Sequence, residues 1–323
     1  MALLELNGVS KGYGIPGPDR SEILAGIDLT IQEGEFVSIV GYSGSGKTTL
    51  INLIAGLISP DVGSINFKGQ PVKSAGPERA VVFQNYSLLP WLTVFGNVAL
   101  AVDQLFPKYN AKEREEHVMK YISMVNLAPA RDKYPAELSG GMRQRTSLAR
   151  SLATEPNVLL LDEPLGALDA LTRAVLQDEI IKIWEGDRKT MVLITNDVDE
   201  GILMADRIIP LSAGPQAKLG PAITVDIPRP RDRKAMNHEP VFQQIRKEVI
   251  HYLLDSHKSA KSKSMAGITL PDVLPEDLTL PPRLWHAKRP PKRRADLEKE
   301  RFEKEYQLKQ IEQSQERRKE AAS

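Results

Sequence analysis

Cysteine is absent from the 323 residues. That excludes structural disulfides and thiolate metal sites, and it is compatible with a reducing compartment. The chain also lacks a charge surplus: 43 Lys and Arg against 42 Asp and Glu leave a formal charge of +1, so nothing global points to nucleic acid as a partner. No apolar run approaches the roughly 20 residues that cross a bilayer, so any membrane role is expected to come through a partner. The opening MALLELNGVSKGYG has no basic leader followed by a long apolar stretch and does not read as a secretory signal. No internal repeat is present.

What remains is an ordinary core-forming composition, 41% hydrophobic and 26% charged. The length suits one large domain with an appendage or two small domains. Residues 3–40 read as short strands broken by Gly and Pro, ending in the apolar run Phe36 to Val40. A helix is expected in KTTLINLIAGL directly after Gly46, ending before Pro60. A turn and strand in PDVGSINFKG lead to a strand at 80–84. From about 88 to 155 the pattern turns helical, as an insert. Strands return at 158–161 and 191–195 with the helix TRAVLQDEIIKIWEG between them, and strand, helix, strand implies a parallel sheet with right-handed crossovers. After about residue 235 the character changes, first to a short helical stretch near 239–255. A Pro, Ser and Lys-rich passage follows, then a segment of mostly Glu, Lys, Arg and Gln with no core-forming face.

The strongest chemical signal is GYSGSGKTT: Gly41, Tyr42, Ser43, Gly44, Ser45, Gly46, Lys47, Thr48 and Thr49, set between a buried strand and a helix. Glycines there let backbone N–H groups converge on phosphate oxygens, and the helix N-terminus adds partial positive charge. Lys47 is expected to pair with the β and γ phosphates and Thr48 to ligate Mg²⁺. A second signal is NVLLLDEP, an apolar strand that delivers Asp162 and Glu163 to the carboxyl edge of the sheet. Alone it reads more often as a plain turn. Beside a phosphate loop, Asp162 is expected to hold Mg²⁺ and Glu163 to act as general base on the attacking water. A third is LSGG, where Ser139, Gly140 and Gly141 open a helix with a turn suited to an anion, or serve as a simple N-cap.

Phosphate loop, Gln84 after a strand, Ser139-Gly140-Gly141, Asp162-Glu163 and Ala167-Leu168-Asp169 occur in the order found in ATP-binding cassette proteins. The likeness runs over about residues 3–235. It implies an α/β phosphate-loop ATPase fold: a RecA-like mixed-sheet core, an antiparallel β subdomain, a helical subdomain at about 88–155 and, beyond the likeness, a charged C-terminal extension at 236–323. Tyr13 resembles the aromatic residue that stacks on adenine, against the alternative of a strand-edge tyrosine. By the same resemblance Gln84 touches Mg²⁺ or the attacking water, and Ser139 and Gly141 close on the γ-phosphate held by an opposite subunit. Asp169 joins the two sites across a dimer. Two ATP molecules with Mg²⁺ would then be sandwiched between two cassettes, whether identical or merely related.

One position departs from the family. Asn196, in Thr195-Asn196-Asp197, stands where a histidine is usual. Asn donates a hydrogen bond to a γ-phosphate but carries no charge and relays no proton. An active site with an Asn sensor and a weak, regulatory cassette are both open on this ground. The stretch ITNDVDEG, followed by ADRIIPL, resembles cassette subunits of nitrate, nitrite and cyanate importers and their bicarbonate relatives. LLPWLTVFGNV resembles the broader nitrate, sulfonate and taurine group. The resemblance therefore implies an importer ATPase, nitrate-type first, with sulfonate, taurine or bicarbonate as alternatives. It would lie peripherally on the cytoplasmic face of the cell membrane, bound to integral-membrane permease subunits and served indirectly by an extracytoplasmic solute-binding protein. Trp91 is expected either as a permease-docking anchor or as a packed residue of the helical insert. Non-transport cassettes fit less well, because only about ninety residues separate Lys47 from Ser139 and the chain holds one cassette. The six basic residues between Pro282 and Arg294, beside Trp285, read as a solvated linker or as a contact for anionic headgroups.

Overall fold

In a computed structural model the described residues are 2–15 and 20–265. Two sheets divide the strands. In the first, β1 (Ala2–Tyr13) pairs antiparallel with β2 (Ser21–Gln32) and with β4 (Val62–Phe67), and the two-residue β5 (Gln70–Pro71) closes the far edge. In β2, Ile27, Leu29 and Ile31 are buried while Asp28, Thr30 and Gln32 are exposed, the period-two alternation of a sheet with one wet face.

The second sheet has six strands in the order β10, β9, β3, β8, β7, β6. These are β6 (Arg79–Val82), β7 (Val158–Asp162), β8 (Thr190–Thr195), β3 (Phe36–Gly41), β9 (Arg207–Leu211) and β10 (Ile223–Thr224). All neighbours are parallel except β10, which runs against β9 at the edge. Every residue of β3, β7 and β8 is buried, as continuous apolar runs covered on both faces require. The expectation of a mixed sheet with parallel crossovers holds.

Helices cover this sheet. α1 (Lys47–Ala55) leaves the end of β3 and stops at Gly56, whose left-handed backbone (φ 76°) sends its N–H to the Leu53 and Asn52 carbonyls. α5 (Ala170–Asp187) buries Trp184, whose indole N–H donates to the Gly34 carbonyl at 3.2 Å. The insert between β6 and β7 consists of α2 (Val94–Leu105), α3 (Ala111–Met124) and α4 (Gly140–Leu152) with two short 3₁₀ turns. A capping box starts α3: the Asn110 side chain accepts from the Glu113 N–H and the Glu113 carboxylate accepts from the Asn110 N–H.

The helix expected near 239–255 is longer, α8 (Pro240–Met265), preceded by α6 (Val198–Met204) and α7 (Arg233–Met236). The sequence reading separated 1–235 from an extension at 236–323. Phe242, Ile245, Val249 and Leu253 of α8 are nonetheless buried in the same core as Phe36, Val40 and Ile208. Their spacing of three and four residues places them on one helical face, so core packing continues well past 235. The basic cluster between Pro282 and Arg294, Trp285 and the charged segment after it lie outside the described residues. Among the described residues no helix is long and apolar enough to cross a membrane.

Candidate functional site

The parallel sheet ends its strands β3, β7 and β8 on one edge, and each delivers a chemical group there. β3 stops at Gly41 and the chain turns through Tyr42 to Gly46 into α1. Gly46 is the N-cap, with φ 94° and no side-chain cap bond, so the first amides of α1 have no capping side chain and form an anion-ready terminus. A Cβ on Gly46 would lie 2.6 Å from Ile23 Cγ2, because β2 presses on the loop from behind. Glycine at this position therefore answers to both conformation and space.

Lys47, at the first turn of α1, is buried to 4% exposure. Its ammonium reaches four oxygens: the carbonyls of Gly41 (3.0 Å) and Tyr42 (2.8 Å), Oδ1 of Asn196 (2.5 Å) and Oε1 of Glu163 (3.1 Å). Glu163 follows β7 with a left-handed backbone, φ 44°, a conformation that costs a non-glycine residue about 1 kcal/mol. Its N–H donates to the Ile194 carbonyl at 2.9 Å, which ties the end of β7 to β8 two residues before Asn196. Backbone pairing thus sets the carboxylate and the carboxamide side by side around one cation.

Thr48 Oγ1 donates to Asp162 Oδ1 at 3.3 Å. Burial pushes the Asp162 carboxyl above the usual carboxylate range; the Thr48 hydrogen bond and the Lys47 charge pull it down, while the Glu163 charge adds to the rise. A hydroxyl and a carboxylate at the head of a phosphate-binding turn are hard oxygen donors of the kind Mg²⁺ takes together with phosphate oxygens and water. Among the described residues there is no cluster of three His, Cys, Asp or Glu that could hold a metal ion.

A cleft of about 390 Å³ opens over these groups, lined by Tyr13, Ile23, Ser43, Gly44, Gly46, Lys47, Thr48, Thr49, Gln84 and Glu163. Tyr13 is 47% exposed at its rim, with Lys11 Nζ 5.9 Å from the ring centre. Gln84, two residues beyond β6, is exposed into the cleft beside Glu163. Ser45 is buried at 1%, and its hydroxyl has no partner. Tyr42 contributes its carbonyl rather than its ring, which packs on the His257 ring with centroids 5.0 Å apart. The sequence reading missed Ile23, whose only signal was its place in an alternating strand.

Ser139, Gly140, Gly141 and Asp169 do not line this cleft. They form a second group at the starts of α4 and α5. Ser139 caps α4, its Oγ accepting from the Met142 N–H at 3.3 Å. Asp169 caps α5, accepting from the amides of Leu171 (3.2 Å) and Thr172 (3.0 Å). The Thr172 hydroxyl and these amides hold its carboxyl below the usual range. A Cβ on Gly141 would come within 2.4 Å of Thr172 Cγ2, so the two helix starts are in close contact. Trp91 is 69% exposed and is not a packed residue of the helical insert.

Residues 24–166 match the ABC transporter family. The chain is 49% identical over 261 residues, 81% of its length, to the bicarbonate transport ATP-binding protein CmpC of Synechococcus elongatus. It is 46% identical over 258 residues, 80% of its length, to the nitrate import ATP-binding protein NrtC of the same organism. It spans 39% of the length of each of these two relatives. Among solved structures, the dimeric post-hydrolysis state of the ATP-binding cassette MJ0796 bound to ADP and Pi superposes with a TM-score of 0.62 at 31% identity, over 69% of this chain and 99% of that one. The order of motifs, the two-sheet architecture with its helical insert and this similarity across a whole solved cassette agree that the chain belongs to the ABC transporter family.

Proposed function

We propose that the chain binds and hydrolyses ATP and thereby drives a binding-protein-dependent importer of small oxyanions. The observation that carries this is the ring of four oxygens around Lys47, because it gathers Glu163 and Asn196 around the cation at the head of the phosphate loop. An arriving phosphate competes for the ammonium. Glu163 is then released from its ion pair and free to accept a proton from the attacking water, while the Asn196 amide N–H₂ donates to the γ-phosphate. Tyr13 stacks on the base, and the α1 amides with Ser43 and Gly44 cradle the phosphates. Thr48 and Asp162 would hold Mg²⁺, which supplies charge neutralisation on the phosphates, with Gln84 beside them.

The separation of Ser139, Gly140, Gly141 and Asp169 from the Lys47 cleft supports a composite site. One chain offers the phosphate loop, and a second cassette, whether identical or related, offers its Ser139 turn. Closure of such a dimer on two ATP molecules moves attached permease subunits, with the exposed Trp91 as a docking anchor, and hydrolysis reopens it. The protein then works at the cytoplasmic face of the membrane. Nitrate is the first cargo reading, and the name of the CmpC relative favours bicarbonate as the second. Two measurements test the proposal. In the assembled complex, Mg²⁺-dependent phosphate release should vanish in Glu163→Gln while nucleotide binding persists; a wild-type complex without ATPase activity sinks the motor reading. In a deletion strain, loss of nitrate uptake with bicarbonate uptake intact supports the first cargo, and the converse supports the second.

A further inference from the structure

Helix α8 touches both loops that surround Lys47, and no step proposed above uses it. Near its start, Arg246 Nε donates to Asp199 Oδ1 at 2.7 Å, in the first turn of the helix that follows Asn196. Arg246 and Ile250 also line a cavity of about 440 Å³ whose walls include Glu163 and Asn196. One turn further on, the Tyr252 ring fills the space beside Gly220, where a Cβ would come within 2.6 Å. Ser256 Oγ accepts from the Ala213 N–H at 3.4 Å just beyond β9. Next to it, the His257 ring lies against the Tyr42 ring at 5.0 Å between centroids, tilted by 50°. The Tyr42 carbonyl in turn accepts from Lys47 at 2.8 Å and from the Ser45 N–H at 3.2 Å.

The geometry points to His257 as a positioning residue for the nucleotide site, acting through Tyr42 on the phosphate loop. This rests on the ATP-binding reading above. The buried face of α8 anchors the helix in the core through Phe242, Ile245, Val249 and Leu253, so the His257 ring is held on a rigid element. Tyr42 sits in a loop flanked by Gly41 and Gly44, its partly buried ring packed against the apolar core as well as against the His257 ring. An aromatic contact of this kind limits the conformations of the loop before nucleotide arrives, and preorganisation of a loop raises affinity without any new contact to ligand. Because this is a tilted ring-to-ring contact, another aromatic ring can take the place of the imidazole.

The test uses the full chain and a fluorescent, ribose-labelled ATP with Mg²⁺. His257→Ala should weaken binding about three- to tenfold, the range expected for an aromatic pair, while the thermal midpoint falls by no more than a few degrees, because His257 is exposed. His257→Phe, which keeps a ring on Tyr42, should restore wild-type affinity. On a Tyr42→Ala background, His257→Ala should add nothing further, as coupled residues require. In the assembled complex the His257→Ala effect should fall on KM and leave kcat unchanged. Wild-type affinity in His257→Ala, failure of His257→Phe to rescue, or a full additional loss on the Tyr42→Ala background overturns the inference. A wild-type chain that binds no nucleotide overturns the ATP-binding reading and this inference with it.

Discussion

Removing the Asn196 carboxamide separates stability from catalysis in a way the Lys47 ring makes calculable. The ammonium has three protons to donate and four oxygens within reach. In Asn196→Ala the carbonyls of Gly41 and Tyr42 and the Glu163 carboxylate remain, one acceptor for each proton. The buried cation stays fully paired, and because Asn196 itself is exposed no cavity opens. The expected loss of folding stability is under about 1 kcal/mol. Catalysis should respond very differently. A hydrogen bond to a charged phosphate is worth about 1.5–3 kcal/mol, so turnover should fall by about 10- to 150-fold. Phosphate release at saturating ATP, measured in the assembled complex beside a urea titration of the isolated chain, gives both numbers. Turnover within about twofold of wild type would refute the sensor role. A stability loss well above about 1 kcal/mol would refute the competing-acceptor account of Lys47. Asn196→His supplies a complementary result: a titration near pH ~6.5 should enter the turnover profile, because only the histidine changes charge there.

Other outcomes follow from packing and burial. Arg231 donates to the carbonyls of Ile202 (2.7 Å), Leu203 (3.2 Å), Ala205 (2.6 Å), Val225 (3.2 Å) and Ile227 (3.1 Å), and burial pulls its pKa down to about 10. Arg231→Met strips the end of α6 of these donors and should cost about 2–4 kcal/mol by urea denaturation. Gly141→Ala drives a methyl into Thr172 and should cost about 1–3 kcal/mol, most of it recovered in Gly141→Ala with Thr172→Ser, which removes the clashing methyl; no recovery would show that the strain lies elsewhere. Burial pushes the Glu200 carboxyl up, against hydrogen bonds from Thr195 and Gln177. The folded chain therefore keeps that proton to higher pH than the unfolded chain, and stability should fall as pH rises from the ordinary carboxylate value through the raised one. Urea midpoints measured as pH rises from the ordinary carboxylate range should lose that component of their slope in Glu200→Gln.

The sequence by itself determined the parts of this protein that depend on local rules. GYSGSGKTT could only be a strand, a glycine turn and a helix start, because the spacing of its glycines answers a steric demand that Gly46 meets in both conformation and space. The apolar runs of β3, β7 and β8 announced buried parallel strands, and Asp162 and Glu163 at the end of one of them announced an edge where ligands gather. Tertiary structure decided what depends on distant segments. That Asn196 and Glu163 meet on one ammonium follows from the order of β3, β8 and β7 in the sheet, which no local pattern encodes. That Ser139 and Asp169 stand together and away from Lys47 follows from how α4 meets α5. The tight approach of Gly141 to Thr172 belongs to that packing. The role of residues 240–257 was hidden for the same reason. Their apolar face is visible as spacing, but which core it enters, and that His257 at its far end would reach Tyr42, are set by contacts about two hundred residues apart in sequence.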